Sequence, residues 1–498
     1  MPFRIAGNTA VGIILLALVG AIMGPQWDPS PVTDPLPRET TSTAIGGATP
    51  RQTYAVRTSI VTVSLDGTDV DARLMEPVGA PDGRPGVVFV HGAGTDDSSE
   101  AFAAQAQTLA QSGVVTLVPS KRLDTYSTRY RNYERMADDY EASVVYLRGV
   151  DGVDGNEVGV YAESEGAWIA PVMAARDQDI AFVVLVSAPV VPPRQQAAYA
   201  TDSYLRRTGV PGGVFRAIPR AVGMSLPGGG FDYADFDVAP FQRQMTQPVL
   251  VVYGTADASM PMVQGTEQIL RDTAIVGNTD ITVRYYEGAD HGLRIDGKVD
   301  QTFLGDLSDW VTSLPDSAGA APRIAGADPQ QVYWAGPVPT PRWFGDGDAV
   351  IAIVAGAAAL ILLGPVALVL AAGVRRVRGR AAVRRLGPGV GARTGALGVF
   401  ALLTVAALVW YLVAVARLAL GYERNVWIVQ GGWIGVRALG IGAVVAAVML
   451  LDRVRRLRDA HEPVARGAVG VGALWSTLVG SAALLVVLAY WGAYQLGI

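Results

Sequence analysis

One serine, one aspartate and one histidine stand in this chain where a nucleophile, an orienting acid and a general base would be placed. Ser164 lies in the stretch Glu157–Ala170, EVGVYAESEGAWIA. There a β-branched run ends at Tyr161, a small-x-Ser-x-Gly turn follows, and an apolar helical stretch begins. A serine on a tight turn between strand and helix projects its Oγ beyond the sheet edge, and small residues two positions to either side leave room for that turn. The usual pattern opens with Gly, whereas this one opens with Ala162. A serine hydroxyl is a poor nucleophile at neutral pH until an imidazole takes its proton. The chain holds three histidines, His91, His291 and His461. His291 follows the strand-like run Ile281–Tyr286, and Asp257 follows the apolar run Val249–Tyr253 in VLVVYGTADASMP. Such an aspartate fixes the imidazole tautomer and stabilises the imidazolium. Taken singly, a loop Asp commonly caps a turn and a lone His commonly sits at the surface. In the order Ser–Asp–His, each past the end of an apolar strand, they are hard to obtain by chance and point to nucleophilic catalysis by Ser164. Asp290, the rival acid, adjoins His291 in sequence and is poorly placed to orient it.

A second constellation supports the first. Gly86–Gly94, GVVFVHGAG, is an apolar strand ending in His-Gly-small-Gly. Backbone N–H groups after such a loop and after a nucleophile are donors for a developing oxyanion. Here they belong to Ala93 and Glu165. His91, Gly92 and Gly94 would support the loop; His91 precedes the nucleophile along the chain and is not the expected base. Cysteine is absent, which excludes structural disulfides, zinc–thiolate sites, a Cys nucleophile and a lipid-anchoring cysteine. No metal set is expected.

The elements that must position these residues lie between Tyr54 and about Leu314. Strand-like runs at Ile60–Leu65, Gly86–Val90, Val114–Val118, Glu157–Tyr161, Ala181–Val186, Val249–Tyr253 and Ile281–Tyr286 alternate with helical stretches at Ser99–Gln111, Tyr133–Leu147, Gly166–Ala175 and Val299–Leu314. Such alternation predicts an α/β class, a mostly parallel sheet flanked by helices. Residues 189–247, rich in Pro, Gly and aromatics, break the rhythm and read as an inserted cap. Phe215, Met224, Phe231, Tyr233 and Phe236 are candidates for the wall of an acyl pocket or for plain cap core.

Over all 498 residues, half are hydrophobic and 17% are charged, with a mean hydropathy of +0.29. Soluble chains are about 25% charged, so part of this one belongs in lipid. Residues 1–24 carry Arg4 before the apolar run Ala10–Met23, a signal peptide or signal anchor. Residues 25–53 read as a flexible linker and 315–348 as a second one, with Trp334, Trp343 and Phe344 near the coming membrane surface. Residues 349–498 hold four segments long enough to span a bilayer, Ala349–Val374, Gly395–Ala416, Val426–Leu451 and Gly467–Ile498, an all-α transmembrane bundle. The connector Arg375–Arg393 has seven Arg and no acid, and Asp452–Arg466 has five Arg against three acids. Arg-rich connectors stay in the cytoplasm, which puts residues 54–314 on the extracytoplasmic face of a multi-pass cell-membrane protein, in agreement with an export signal. Arg437 falls inside the third span, as a functional residue or, the preferred reading, one that snorkels. The net charge is −5. Of this, +11 resides from Ala349 onward and −16 before it, which argues against a nucleic-acid partner.

On these residues the chain resembles the α/β-hydrolase superfamily, and within it bacterial serine esterases whose elbow reads Gly-His-Ser-Glu-Gly-Gly before Trp/Leu-Ile-Ala-Pro. The matching run is Ala162-Glu163-Ser164-Glu165-Gly166-Ala167-Trp168-Ile169-Ala170-Pro171, helped by Ala137-Asp138-Asp139 and Tyr146-Leu147 upstream. The resemblance covers residues ~54–314 and not the C-terminal spans. It implies carboxylic-ester hydrolysis through an acyl-enzyme on Ser164, without cofactor; the function expected is that of an esterase or thioesterase with Ser164, Asp257 and His291, acting on a small-molecule or lipid acyl substrate. An acyltransferase or peptidase would use the same three residues. A non-catalytic hydrolase-like domain serving a membrane transport or assembly protein is the alternative of another class. Glu163 and Glu165, flanking the serine, are expected to face solvent.

Overall fold

The computed structural model describes residues 2–25, 27–46, 53–209, 214–215, 217–381, 383–420 and 423–496. Residues 47–52 of the first linker, 210–213 and 216 of the cap, and 497–498 of the last span lie outside these. Contacts divide the chain into two units, one of residues 29–200 and 231–337, the other of residues 1–28, 201–230 and 338–498.

The first unit is built on runs of Val, Ile and Leu too short for helices and too apolar for a solvated sheet face. Its strands are β1 (Ala55–Leu65), β2 (Thr68–Val78), β3 (Arg84–Val90), β4 (Val115–Pro119), β5 (Val153–Glu163), β6 (Val183–Val186), β7 (Val249–Gly254), β8 (Ile281–Tyr286) and β11 (Ile324–Gly326). They form one nine-stranded sheet in the order β1-β2-β4-β3-β5-β6-β7-β8-β11. The β1/β2 and β2/β4 pairs are antiparallel and every later pairing is parallel. β9 (Arg294–Ile295) and β10 (Lys298–Val299) form a small separate ribbon. Strands β4, β6, β7 and β8 are buried at every residue, the mark of a parallel sheet covered on both faces.

Alternation sends successive side chains to opposite faces. Val88, Val90, Val158, Val160, Val183, Leu185, Val249 and Val251 pack on one side with α3 (Tyr133–Arg148), α4 (Gly166–Arg176) and α8 (Met262–Thr273). Val87, Phe89, Tyr161, Val184, Val186, Leu250 and Val252 pack on the other with α2 (Ala103–Gln111) and α9 (Gln301–Thr312). This strand order with helices on both faces is the α/β-hydrolase fold.

Three strand-unit features were not legible as read. β2 is absent from the sequence reading because TDVDARLMEPV alternates weakly, although Asp66-Gly67 with Gly67 at φ 81° marks the hairpin turn. β11 extends the sheet from within residues 315–348. Residues 29–46, read as a flexible tether, are bonded along the same edge: Glu39 N to Ile324 O, Val32 N to Val332 O, and Arg38 with Asp328 at 2.7 Å.

The second unit is helical: α1 (Pro2–Met23), the C-terminal part of α5 (Pro193–Arg207), α6 (Ala217–Val222), α10 (Gly347–Val377), α11 (Val390–Leu420), α12 (Gly432–Asp459) and α13 (Gly467–Tyr490). A four-residue turn, α7 (Ala239–Gln242), belongs to the first unit. Five helices, α1 and α10–α13, are long and apolar enough to cross a membrane. Within this unit α1 packs on α12 and α13. A Cβ on Gly20 would sit 2.1 Å from Ala489 O, the close backbone approach that small residues permit between apolar helices. Arg220 is fully buried beside it, donating to Gly20 O at 2.9 Å and stacking 4.9 Å over Tyr490. Gly20→Leu is therefore expected to lower stability by ~1–3 kcal/mol through overpacking, read as a lower melting temperature of the detergent-solubilised chain. Arg437 donates to Gln495 O at 2.7 Å, at the chain end that follows α13. Phe344 packs edge-on against Tyr490 at 5.0 Å, and Trp343 stays exposed.

Candidate active site

Ser164 follows β5 directly, at φ 55°, a left-handed conformation seldom held by a residue with a Cβ. The turn is fixed at both ends. Ser164 N donates to Val186 O at 2.9 Å, and Ser164 O accepts from Ala167 N at the start of α4. Gly166 is dictated by proximity, since a Cβ there would lie 2.5 Å from Val90 O. Ala162, where Gly is usual, is fully buried and its methyl fits the core.

Asp257 lies just past β7 and His291 just past β8, both at the C-terminal end of the parallel sheet. His291 Nδ1 stands 2.7 Å from Asp257 Oδ2, with the carboxylate wholly buried and the imidazole 23% exposed. The other carboxylate oxygen accepts from Ser259 Oγ at 2.7 Å and from the amides of Ser259 and Met260. Burial alone would raise the Asp257 pKa; His291 and the Ser259 donors hold it below the usual carboxylate value. Burial disfavours a charged His291, yet the Asp257 carboxylate, with Glu163 and Asp290 nearby, more than offsets it and raises the imidazole to about 9. Asp290 Oδ1 accepts from the amides of Gly292 and Arg294 and closes the loop that carries the ring.

One step past β6 ties serine and histidine together. Val186 O holds Ser164 N, and the next residue, Ser187, donates its Oγ to His291 O at 2.7 Å. Ser187 is buried and itself at φ 47°. In this conformation the Ser164 hydroxyl makes no hydrogen bond among the described residues. Ser259 and Ser187 escaped the sequence reading; the small-polar residue two places after Asp257 is a turn signal that marks the first, and nothing local marks the second.

The loop after β3 runs against the elbow. A Cβ on Gly92 would lie 3.2 Å from Ser164 Cβ, and Ala93 and Gly94 are exposed. His91 is fully buried: its Nε2 donates to Pro119 O at 2.6 Å, so Nδ1 accepts from Thr95 Oγ1 at 3.1 Å. Burial pushes its pKa down to about 4, a neutral strut rather than a base. His461 lies between α12 and α13 in the other unit.

Glu165 corrects the expectation of a solvent-facing carboxylate. It is 2% exposed and accepts from Lys121 Nζ at 3.1 Å, Arg131 Nη1 at 2.5 Å, Tyr126 Oη at 2.9 Å and Tyr133 Oη at 3.4 Å. Lys121 also donates to Gly92 O at 2.6 Å, so one ammonium joins the loop after β3 to the residue after Ser164. Burial lowers the Lys121 pKa against the pull of Glu165. Sequence reasoning missed this because the partners come from 121–133, far from the elbow in sequence. Glu163 is half-buried; burial raises its pKa against the pull of His291 and Arg294, and Tyr161 Oη donates to it at 3.4 Å.

The proposed wall residues separate. Tyr233 and Phe236 pack on Tyr133, at ring distances of 5.9 and 4.9 Å, and Tyr133 stacks at 5.4 Å on Trp168 of α4; Phe231 packs on Tyr233. Phe215 and Met224 belong to the helical unit, where Arg206 lies over the Phe215 ring.

No curated protein matches the chain. Solved structures similar to it include a putative dienelactone hydrolase from Klebsiella pneumoniae (16% identity, 52% of this chain and 99% of that one, TM-score 0.36). A dienelactone hydrolase from Anabaena variabilis (17%, 52% and 97%, TM-score 0.36) and Est1E from Butyrivibrio proteoclasticus (20%, 51% and 95%, TM-score 0.35) are also similar. Residues 138–295 match the family described as BAAT / Acyl-CoA thioester hydrolase C terminal, a span that contains Ser164, Asp257 and His291 and makes this part of the chain similar to hydrolases of acyl thioesters.

Proposed function

We propose that the chain is a membrane-anchored serine hydrolase that cleaves a carboxylic ester or thioester through an acyl-enzyme on Ser164. The observation that carries this reading is the buried Asp257–His291 pair at 2.7 Å, held by Ser187 beside a serine at φ 55°. The Ser164 proton passes to His291 Nε2 as Oγ bonds to the acyl carbon. The carbonyl oxygen becomes an oxyanion and accepts from the N–H groups of Ala93 and Glu165. Collapse breaks the bond to the alcohol or thiol, which leaves with the proton from His291. Water then repeats the sequence on the acyl-enzyme, with His291 as base, and frees the acid. The Arg-rich connectors support placing this unit on the extracytoplasmic side. The match to a thioester-hydrolase family supports acyl thioesters and esters as the substrate class.

The test is turnover of aryl esters and acyl thioesters of graded chain length by the full chain, with the protein mass followed during turnover. The reading expects free acid as product and a transient mass increase equal to one acyl group on the peptide that carries Ser164. Transfer of the acyl group to an added alcohol in preference to water would replace hydrolysis with acyl transfer; no turnover of any substrate by folded protein would contradict the reading.

A further inference from the structure

At the end of the helical unit where α10 gives way to α11, a cavity of about 900 Å³ is lined by Arg375, Arg376, Arg380, Arg384 and Arg385 and by no carboxylate. Arg375 donates Nε and Nη2 to Ala381 O and so folds the connector back beneath the helix. The connector is held in place from the other side. Gly387 N donates to Val464 O, Arg385 O accepts from Arg466 N, and Leu386 bridges Ala465. Arg376, Arg380 and Arg384 remain exposed and take part in no ion pair among the described residues. The carboxylate of Asp452, on α12, is paired with Arg456. Guanidiniums gathered this closely repel one another and are weakly hydrated, and their planar forks match phosphate oxygens.

The remaining wall of the same cavity is apolar: Leu368, Val369 and Ala372 of α10. Val369 is 70% exposed, on a helix that contains an 18-residue stretch of mean hydropathy 2.6, so this wall faces the surroundings of the bundle and not its core. Seven residues separate Val369 from Arg376, about 10 Å along the helix at 1.5 Å per residue. A ligand that satisfies both ends is an amphiphile, anionic at one end and hydrocarbon some 10 Å away.

We propose that this cavity is a binding site for one anionic phospholipid, its phosphate among Arg376, Arg380, Arg384 and Arg385 and an acyl chain along Leu368, Val369 and Ala372. Free phosphate would use the guanidiniums and leave the apolar wall unexplained, and a zwitterionic lipid would bring a choline among cations. The proposal rests on the membrane-spanning reading of α10 and is independent of the hydrolase chemistry.

The test uses the full chain in detergent, titrated with phosphatidylglycerol or phosphatidylcholine of the same acyl chains and read as lipid-bound species by native mass spectrometry. Phosphatidylglycerol is expected to be retained at about tenfold lower concentration than phosphatidylcholine. Arg376→Gln, Arg380→Gln and Arg384→Gln together are expected to erase that preference. The triple change Arg378→Gln, Arg455→Gln and Arg458→Gln removes the same charge outside the cavity and is expected to preserve it. Equal retention of the two lipids by wild type, which needs no variant to fold, would overturn the proposal. So would equal loss in both triple variants, which would make the effect one of general surface charge. Displacement of the lipid by equimolar glycerol 3-phosphate would overturn it too, by showing a phosphate site without a lipid wall. A chain washed from membranes by carbonate alone would remove the spanning premise before any lipid is added.

Discussion

Asp257→Asn is expected to lower kcat/KM for an ester or thioester by about 10⁴-fold, because an amide at that position permits the wrong imidazole tautomer and leaves the imidazolium unsupported. The effect has a pH signature that a merely unfolded variant would lack. The base must be neutral to accept the serine proton, and the carboxylate 2.7 Å away raises the His291 pKa to about 9. In wild type, therefore, kcat/KM is expected to climb with pH well beyond neutrality, since the active fraction is lost as pH falls through a raised pKa. Asparagine removes the main source of that rise, so the residual activity is expected to reach its plateau at lower pH. A pH–rate profile of kcat/KM for both proteins checks the sign. An acid limb that stays put in Asp257→Asn would mean that another group titrates.

Glu165→Ala is expected to destabilise the sheet unit strongly. Its carboxylate is the shared partner of Lys121, whose side chain is 2% exposed, and of Arg131, at 16%. Removing one member of a buried ionic cluster costs ~3–5 kcal/mol, because the remaining charge stays buried without its partner. For a unit of this size that corresponds to a melting temperature lower by roughly 10 °C. Pairing Lys121→Met with Glu165→Gln is expected to restore part of the loss, as coupled sites do not add. If Glu165→Ala melted with wild type, the cluster would be a surface ornament and its proposed role in holding Gly92 against the elbow would go with it.

How far the sequence reaches into this structure follows from the range of each interaction. The placement of Ser164, Asp257 and His291 past the ends of β5, β7 and β8 was legible because a parallel sheet delivers its strand ends to one edge, and each of the three follows an apolar run. The register Val186–Ser187 that ties two of them together was not, since it depends on which strands are neighbours in space. The same is true of the Lys121–Glu165 contact. Glu165 carries a charge and sits beside a turn, features that favour exposure, and only the fold brings two cations and two phenols onto it. α8, whose QGTEQILRDT is amphipathic but polar on average, went unread, and so did β2 and β11, short or weakly alternating strands that depend on pairing. The four C-terminal apolar helices were legible from length and composition alone, whereas α1 was read from Ala10 onward as a signal peptide or signal anchor and begins already at Pro2. The packing of α1 on α12 and α13 was not, because it turns on Gly20 meeting Ala489 and on a buried Arg220 two hundred residues away.

Covalent labelling by a fluorophosphonate tests the central claim most directly, since the reagent phosphonylates a serine only where a base has activated it. Wild type is expected to be modified once, on the peptide that contains Ser164, and Ser164→Ala to remain unlabelled under the same conditions. Modification of both proteins to the same extent, or at a different serine, would contradict a nucleophile at the end of β5.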